Sequence, residues 1–299
     1  MITGLIAPLL TPFDDNLALD QEKFNALAKR LLDTGCSGLA PFGTTGEALS
    51  VSHGERKAAL EGLVAASIDP SVMIPGTGLC NLPDTVDLCQ HAINLGCAGV
   101  MTLPPFYFKG ISDAGLYDYF VQLIDMVNDN RLKIYLYHIP QVSGVGLSIP
   151  LVKKLHAEFP DTIVGIKDSS GDWNNTQALL SIDGLIVYPG AELPVIDAIR
   201  LGAPGCISAT ANLNGTDIAE VIALCHAGAW DAAEAKHKKV CAVRLLFQDY
   251  APIPAQKALL ARQLGQPSWN NLRPPMQPMA TDKLNALADA LDKEFGMKF

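Results

Sequence analysis

No two cysteines in this chain stand at the CxxC spacing, and the seven present, at positions 36, 80, 89, 97, 206, 225 and 241, are odd in number. That argues against a zinc ribbon or a disulfide framework and fits a reducing, cytoplasmic setting. Basic residues are scarce as well: 22 Lys and Arg face 31 Asp and Glu, for a net charge of −9. A nucleic-acid binder would carry the opposite excess. No apolar run approaches the ~20 residues needed to cross a bilayer, and the opening Met1-Ile-Thr-Gly-Leu5 lacks the basic stretch of a secretory signal. There is no HExxH, no clustered His/Cys pair at ligand spacing, no GxGxxG after the first strand and no GxxxxGK[ST]. The expectation is a chain with no metal, no nucleic-acid partner and no membrane segment.

What is present is a globular composition, 49% hydrophobic and 18% charged over 299 residues. Short apolar or β-branched runs at 5–13, 38–43, 72–78, 99–105, 134–140, 163–168, 186–190 and 205–210 read as strands. Several are continuously apolar, as parallel strands covered on both faces should be. Helical patterns lie between them. Asp20 can cap one whose Phe24, Leu27 and Leu31 share a face, with Gly35 closing it; Ser52 and Glu55 have capping-box spacing; Ser148-Ile-Pro150 opens another. A near-repeat, Asp33-Thr-Gly-Cys-Ser-Gly38, Asn94-Leu-Gly-Cys-Ala-Gly99 and Arg200-Leu-Gly-Ala-Pro-Gly205, marks helix ends that turn directly into strands.

Eight such units predict an α/β fold, a (β/α)8 TIM barrel over residues 1–213. A helical C-terminal extension is expected over 214–299, where Leu284, Leu287, Leu291 and Phe295 share a face after a Pro-rich connection. A doubly wound sheet is the alternative, but its glycine-rich fingerprint is missing.

In such a barrel the reactive groups stand at the C-terminal strand ends. Lys167 follows four apolar or small residues in Ile163-Val-Gly-Ile-Lys-Asp-Ser-Ser-Gly171. A desolvated lysine favours its neutral amine, the nucleophile toward a carbonyl, although a strand-end lysine can also snorkel outward or pair with Asp168. Tyr137, on the same face of its strand as Tyr135, could relay protons at a Schiff base or fill the core. His138, on the other face, reads as structural or as a support behind the site residues. Gly43-Thr-Thr-Gly-Glu47 could bind a carboxylate through its amides and through Thr44 and Thr45, or be an ordinary turn. Tyr107, in the aromatic loop Pro104-Pro-Phe-Tyr-Phe-Lys109, suits substrate contact or a subunit interface. Glu192, after the seventh run, and Ile207-Ser208, ending the eighth, are further candidates for substrate contact or solvated loops.

Taken together and in order, Gly43-Thr-Thr-Gly-Glu47, Tyr137-His-Ile-Pro140 and Gly165-Ile-Lys-Asp-Ser-Ser-Gly171 resemble the dihydrodipicolinate synthase and N-acetylneuraminate lyase family. The likeness runs from Ala7-Pro-Leu-Leu-Thr-Pro-Phe13 to Ala251-Pro-Ile-Pro-Ala-Gln-Lys257. It implies a class I lyase or aldolase that forms an imine between Lys167 and pyruvate or another 2-oxo acid, without a separate cofactor. It further implies that Tyr137 relays protons and that Thr45 links it to Tyr107, which in many members arrives from a neighbouring subunit. Thr44, Gly46 and the loop amides would hold the pyruvate carboxylate. A homo-oligomer, tetramer or dimer, would follow.

Two departures bear on the substrate. Synthases of this family follow their tyrosine with Asn-Val-Pro-Ser-Arg-Thr-Gly, whereas here Val142 occupies the arginine position, removing a carboxylate clamp. The Ser143-Gly-Val145 run is closer to the sialic acid lyases, yet their second acidic residue is replaced by Leu193 after Glu192. The expected reaction is cleavage or formation of a 2-keto-3-deoxy sugar acid or similar compound. The alternatives are dihydrodipicolinate synthase or N-acetylneuraminate lyase proper, a keto-deoxy sugar acid dehydratase, and a non-catalytic binding protein.

Overall fold

The computed structural model describes all of residues 1–299. Strands and helices alternate as expected. In order they are β1 (Gly4–Ala7), α1 (Gln21–Asp33), β2 (Gly38–Leu39), α2 (His53–Ala65), α3 (Leu82–Leu95), β3 (Val100–Thr102), α4 (Asp113–Val127) and β4 (Ile134–His138). There follow α5 (Pro140–Ser143), α6 (Ile149–Glu158), β5 (Ile163–Asp168), α7 (Trp173–Leu180), β6 (Ile186–Pro189), α8 (Val195–Arg200), β7 (Gly205–Ile207) and α9 (Ala211–His226). The chain ends with α10 (Trp230–Leu246), α11 (Pro252–Leu264) and α12 (Thr281–Phe295).

All strand pairings are parallel, in the orders β2–β1–β7 and β3–β4–β5–β6. Residues 73–76 join the two sheets: Met73 bridges Leu39, and Gly76 bridges Met101. This is the run expected as the third strand. It forms isolated bridges rather than a regular ladder, and Pro75, lacking an N–H, cannot donate to a neighbour. Prolines shorten two other strands relative to expectation. β1 stops before Pro8, and β3 stops ahead of Pro104-Pro105. The barrel closes where β6 packs beside β7.

The helix boundaries follow the expected side chains. Asp20 accepts a hydrogen bond from the Lys23 amide, Ser52 and Glu55 form a reciprocal capping box, and Ser148 caps α6. In the near-repeated phrases, Gly35, Gly96 and Gly202 have φ of +105°, +87° and +99°, a left-handed turn that a side chain would strain. Helix α9 packs on β1, so it belongs to the outer ring, and the expected boundary at residue 213 falls inside it, beside a break at Asn214.

Two cores result. One lies between the strands and the ring of helices. The other fills the barrel with Ile6, Ile74, Met101, Tyr135, Tyr137, Tyr188 and Ile207. Beyond the ring, Leu287 and Leu291 of α12 pack against Val243, Phe247 and Leu259, giving the C-terminal helices a core of their own. No helix is long and apolar enough to cross a membrane.

Candidate active site

β4 and β5 run side by side with Tyr137 opposite Lys167, and β6 places Tyr188 on the other side of the lysine. Residues level on parallel strands point the same way, so all three side chains enter the barrel. Gly165, two residues before Lys167, leaves room for this: a Cβ there would stand 2.8 Å from the Tyr135 ring. Lys167 is 4% exposed, and its Nζ lies 4.5 Å from the centre of the Tyr137 ring.

Asp168 is not its partner. That carboxylate accepts from the Ser170 amide at 3.0 Å, the Asn175 amide group at 3.1 Å and the Thr176 hydroxyl at 2.7 Å. His138, on the outward face, accepts from the Leu147 amide through Nδ1 at 2.9 Å, and burial lowers its pKa, favouring the neutral ring. It is the structural residue the alternation predicted.

The Tyr137 hydroxyl lies 3.1 Å from the hydroxyl of Thr44. Here the geometry corrects the expectation that Thr45 makes this link. Adjacent residues of a tight turn point in different directions, and Thr44 is the one aimed at the tyrosine. Thr45 also faces the Lys167 cavity. The turn is anchored from below. Thr11 donates to the Gly46 carbonyl at 2.7 Å, and Glu47, at φ +53°, extends into the protein. There Lys257 of α11 donates to Glu47 Oε1 at 2.6 Å and to the Asn271 carbonyl at 2.7 Å. Both charged side chains are fully buried. Burial pushes the Glu47 carboxyl up and the Lys257 ammonium down, and the attraction between them opposes both shifts.

Lys167, Tyr137, Thr44 and Thr45 open onto a cavity of about 610 Å³ at the C-terminal ends of the strands, within the usual range for small-molecule sites. A narrower, mainly apolar space of about 180 Å³ adjoins it across Thr44, Tyr137, Ile139, Val142 and Ile253.

The remaining expected residues lie elsewhere. Glu192 is fully buried in the wall, where the Ser208 and Thr210 hydroxyls donate to its carboxylate. Glu192 and Ser208 therefore satisfy each other, which corrects their expected contact with substrate; after β7 it is Ala209 that reaches the cavity. Ile207 belongs to the barrel interior, and Gly46 is packed so closely that a Cβ would stand 2.7 Å from the Leu9 carbonyl oxygen. Tyr107 is 74% exposed, stacked edge-on with Phe108, and does not line the cavity of its own chain. Sequence reasoning missed Arg244 and Gln248, which line the cavity from the last turn of α10 and the short turn after it. A basic residue in a helix's last turn reads as a partner of the helix dipole, so nothing in the sequence marked Arg244 as part of a site.

The family model for the dihydrodipicolinate synthetase family matches residues 1–294. The chain belongs to that family. An uncharacterised DapA-like lyase from Chloroflexus aurantiacus is 34% identical over 292 residues, covering 97% of this chain and 96% of the relative. The crystal structure of dihydrodipicolinate synthase from Agrobacterium tumefaciens superposes with a TM-score of 0.90 at 32% identity, over 98% of this chain and 99% of that one. A prophage protein of the dihydrodipicolinic acid synthase family from E. coli K12, solved in complex with pyruvate, gives a TM-score of 0.90 at 27% identity, over 98% of each chain. As a member of the dihydrodipicolinate synthetase family the protein is a class I lyase on a TIM barrel, a type that works through a Schiff base with pyruvate.

Proposed function

We propose that the protein is a pyruvate-dependent aldolase that cleaves or forms a 2-keto-3-deoxy sugar acid or similar 2-oxo acid, with Lys167 as the imine-forming residue. The observation that carries this is the position of Lys167: buried, without a carboxylate partner, and beside a tyrosine whose hydroxyl meets Thr44. The amine adds to the C2 carbonyl, and water leaves as the iminium forms. Tyr137 gives its proton to that departing water and, as the phenolate, takes the proton of the C4 hydroxyl; the C3–C4 bond breaks, an aldehyde departs and the electron pair of the broken bond enters the iminium to give an enamine. Tyr137 returns the proton to C3, and hydrolysis frees pyruvate and Lys167. Condensation runs the same steps in reverse. The Thr44-Thr45 turn holds the pyruvate carboxylate through the Thr45 hydroxyl and its backbone amides, while the Thr44 hydroxyl meets Tyr137.

Val142, 63% exposed at the cavity rim, offers no charge to an acceptor, which argues against the synthase reaction. The exposed Tyr107-Phe108 pair supports a homo-oligomer in which Tyr107 enters a neighbouring site, and the seven free cysteines suit the cytoplasm.

Product analysis on 2-keto-3-deoxy sugar acids tests the reading. Release of pyruvate and an aldehyde, lost by ~10³-fold or more in Lys167→Met, is expected. A product that keeps the whole carbon skeleton and loses only water would make the protein a dehydratase. If sedimentation shows a monomer that retains full activity, the role given to Tyr107 fails.

A further inference from the structure

Building on the Schiff-base reading above, we propose that Arg244 binds a second anionic group, so that the substrate is a 2-oxo acid carrying a carboxylate or phosphate at the end remote from the imine. The cavity that holds Lys167 contains one other basic side chain, Arg244. Its direction is set by packing. Val243 and Phe247 are buried in the core of the C-terminal helices, which turns Arg244 and Gln248, one helical turn apart, toward the cavity.

The guanidinium is unpartnered. Its Nε is buried without a hydrogen-bond acceptor, and no carboxylate pairs with it, whereas Arg200 pairs with Asp197 and Glu234, and Arg273 with Glu55. The acidic groups lining the same cavity are engaged elsewhere. Asp168 is held by Ser170, Asn175 and Thr176; Asp172 caps α7 through the Asn174 amide; Asp197 faces Arg200. A buried guanidinium nitrogen left without an acceptor is unfavourable until an anion supplies one. Carboxylate and phosphate both match the planar donor fork, and Gln248 can add an amide hydrogen bond. The cavity, about 610 Å³, has room for a chain reaching from Lys167 toward the helix end. The hydroxyls of a neutral sugar-acid tail would offer Arg244 acceptors but no counter-charge, so the stronger, charge-assisted pair needs an anion.

The test traps imines with borohydride and reads the half-saturating concentration for labelling of Lys167. Pairs matched in length are compared: 2-oxoglutarate with 2-oxopentanoate, 2-oxoadipate with 2-oxohexanoate, and 2-keto-3-deoxy-6-phosphogluconate with its unphosphorylated form. In the unaltered protein the charged member of at least one pair should label at roughly 10–100-fold lower concentration, the effect of one charge-assisted hydrogen-bonded pair. Which pair responds distinguishes carboxylate from phosphate. Arg244→Met should bring that ratio close to one, and Arg244→Lys should restore part of it. Pyruvate, which has no remote group, should label both variants as it labels the parent, showing that they fold. Equal half-saturation within every pair, or an Arg244→Met effect equal for charged and neutral members, overturns the proposal. Failure of pyruvate to label the unaltered protein would instead remove the Schiff-base reading beneath it.

Discussion

The hydroxyls of Tyr137 and Thr44 lie 3.1 Å apart, while Thr45, one residue on, faces the same cavity with a different task. This division makes the two threonines separable by experiment. Tyr137→Phe removes the proton carrier and should lower kcat by ~10²–10⁴-fold with little change in pyruvate affinity. Thr44→Val keeps the shape but removes the tyrosine's partner, so it should act on kcat and shift the pH profile of the rate. Thr45→Val should act mainly on KM for the 2-oxo acid. Equal kinetic defects in the two threonine variants would contradict the geometry. Lys167 was legible in the sequence because four apolar or small residues lead straight into it, and Tyr137 because alternation along its strand sets the face it shares with Tyr135. The roles of the two threonines were assigned the wrong way round, since two residues between glycines have no periodicity to set their directions. Glu192 was misread for a related reason. A carboxylate at a strand end looks available to a ligand until the tertiary fold places Ser208 and Thr210 against it.

At the scale of elements, the C-terminal helices do more than cover the barrel. Lys257 on α11 fixes Glu47 at the end of the substrate turn, and Arg273, in the connection before α12, pairs with Glu55 on α2. Breaking a buried pair leaves an uncompensated charge, so Lys257→Met should destabilise the protein by about 3–5 kcal/mol. The double variant Glu47→Gln with Lys257→Met should recover much of that loss. Urea midpoints at unchanged m-value would measure both. The hydrogen bond from Arg273 is the chief cause that holds the Glu55 carboxyl down at about 2, below its ordinary 4.5. A carboxylate depressed in the folded state stabilises fully above its unfolded value and loses that contribution as pH falls toward its folded one. Stability should therefore decline by about 1 kcal/mol more between about pH 5 and pH 2 in the parent than in Glu55→Gln, the small size reflecting the pair's partial exposure. Most helix caps were legible because capping is local. The Glu47–Lys257 pair was not, because it joins residues 210 positions apart.

For the whole molecule, the barrel was legible in the alternation of apolar runs and helical patterns, and the near-repeated glycine phrases marked where three helices give way to strands. Its irregular third segment, residues 73–76, reflects a constraint local to Pro75 within a closed sheet. The charge of −9 says little about the ligand, because a ligand in the cavity meets two particular basic side chains, Lys167 and Arg244, while the carboxylates of Asp168, Asp172 and Asp197 are engaged by other groups. The central claim is that Lys167 forms an imine with a 2-oxo acid. Borohydride reduction in the presence of pyruvate, followed by peptide mass analysis, tests it directly. The account predicts one carboxyethyl group on the peptide carrying Lys167 and none on Lys167→Arg. An unmodified Lys167, under conditions that label another member of the dihydrodipicolinate synthetase family, would contradict it.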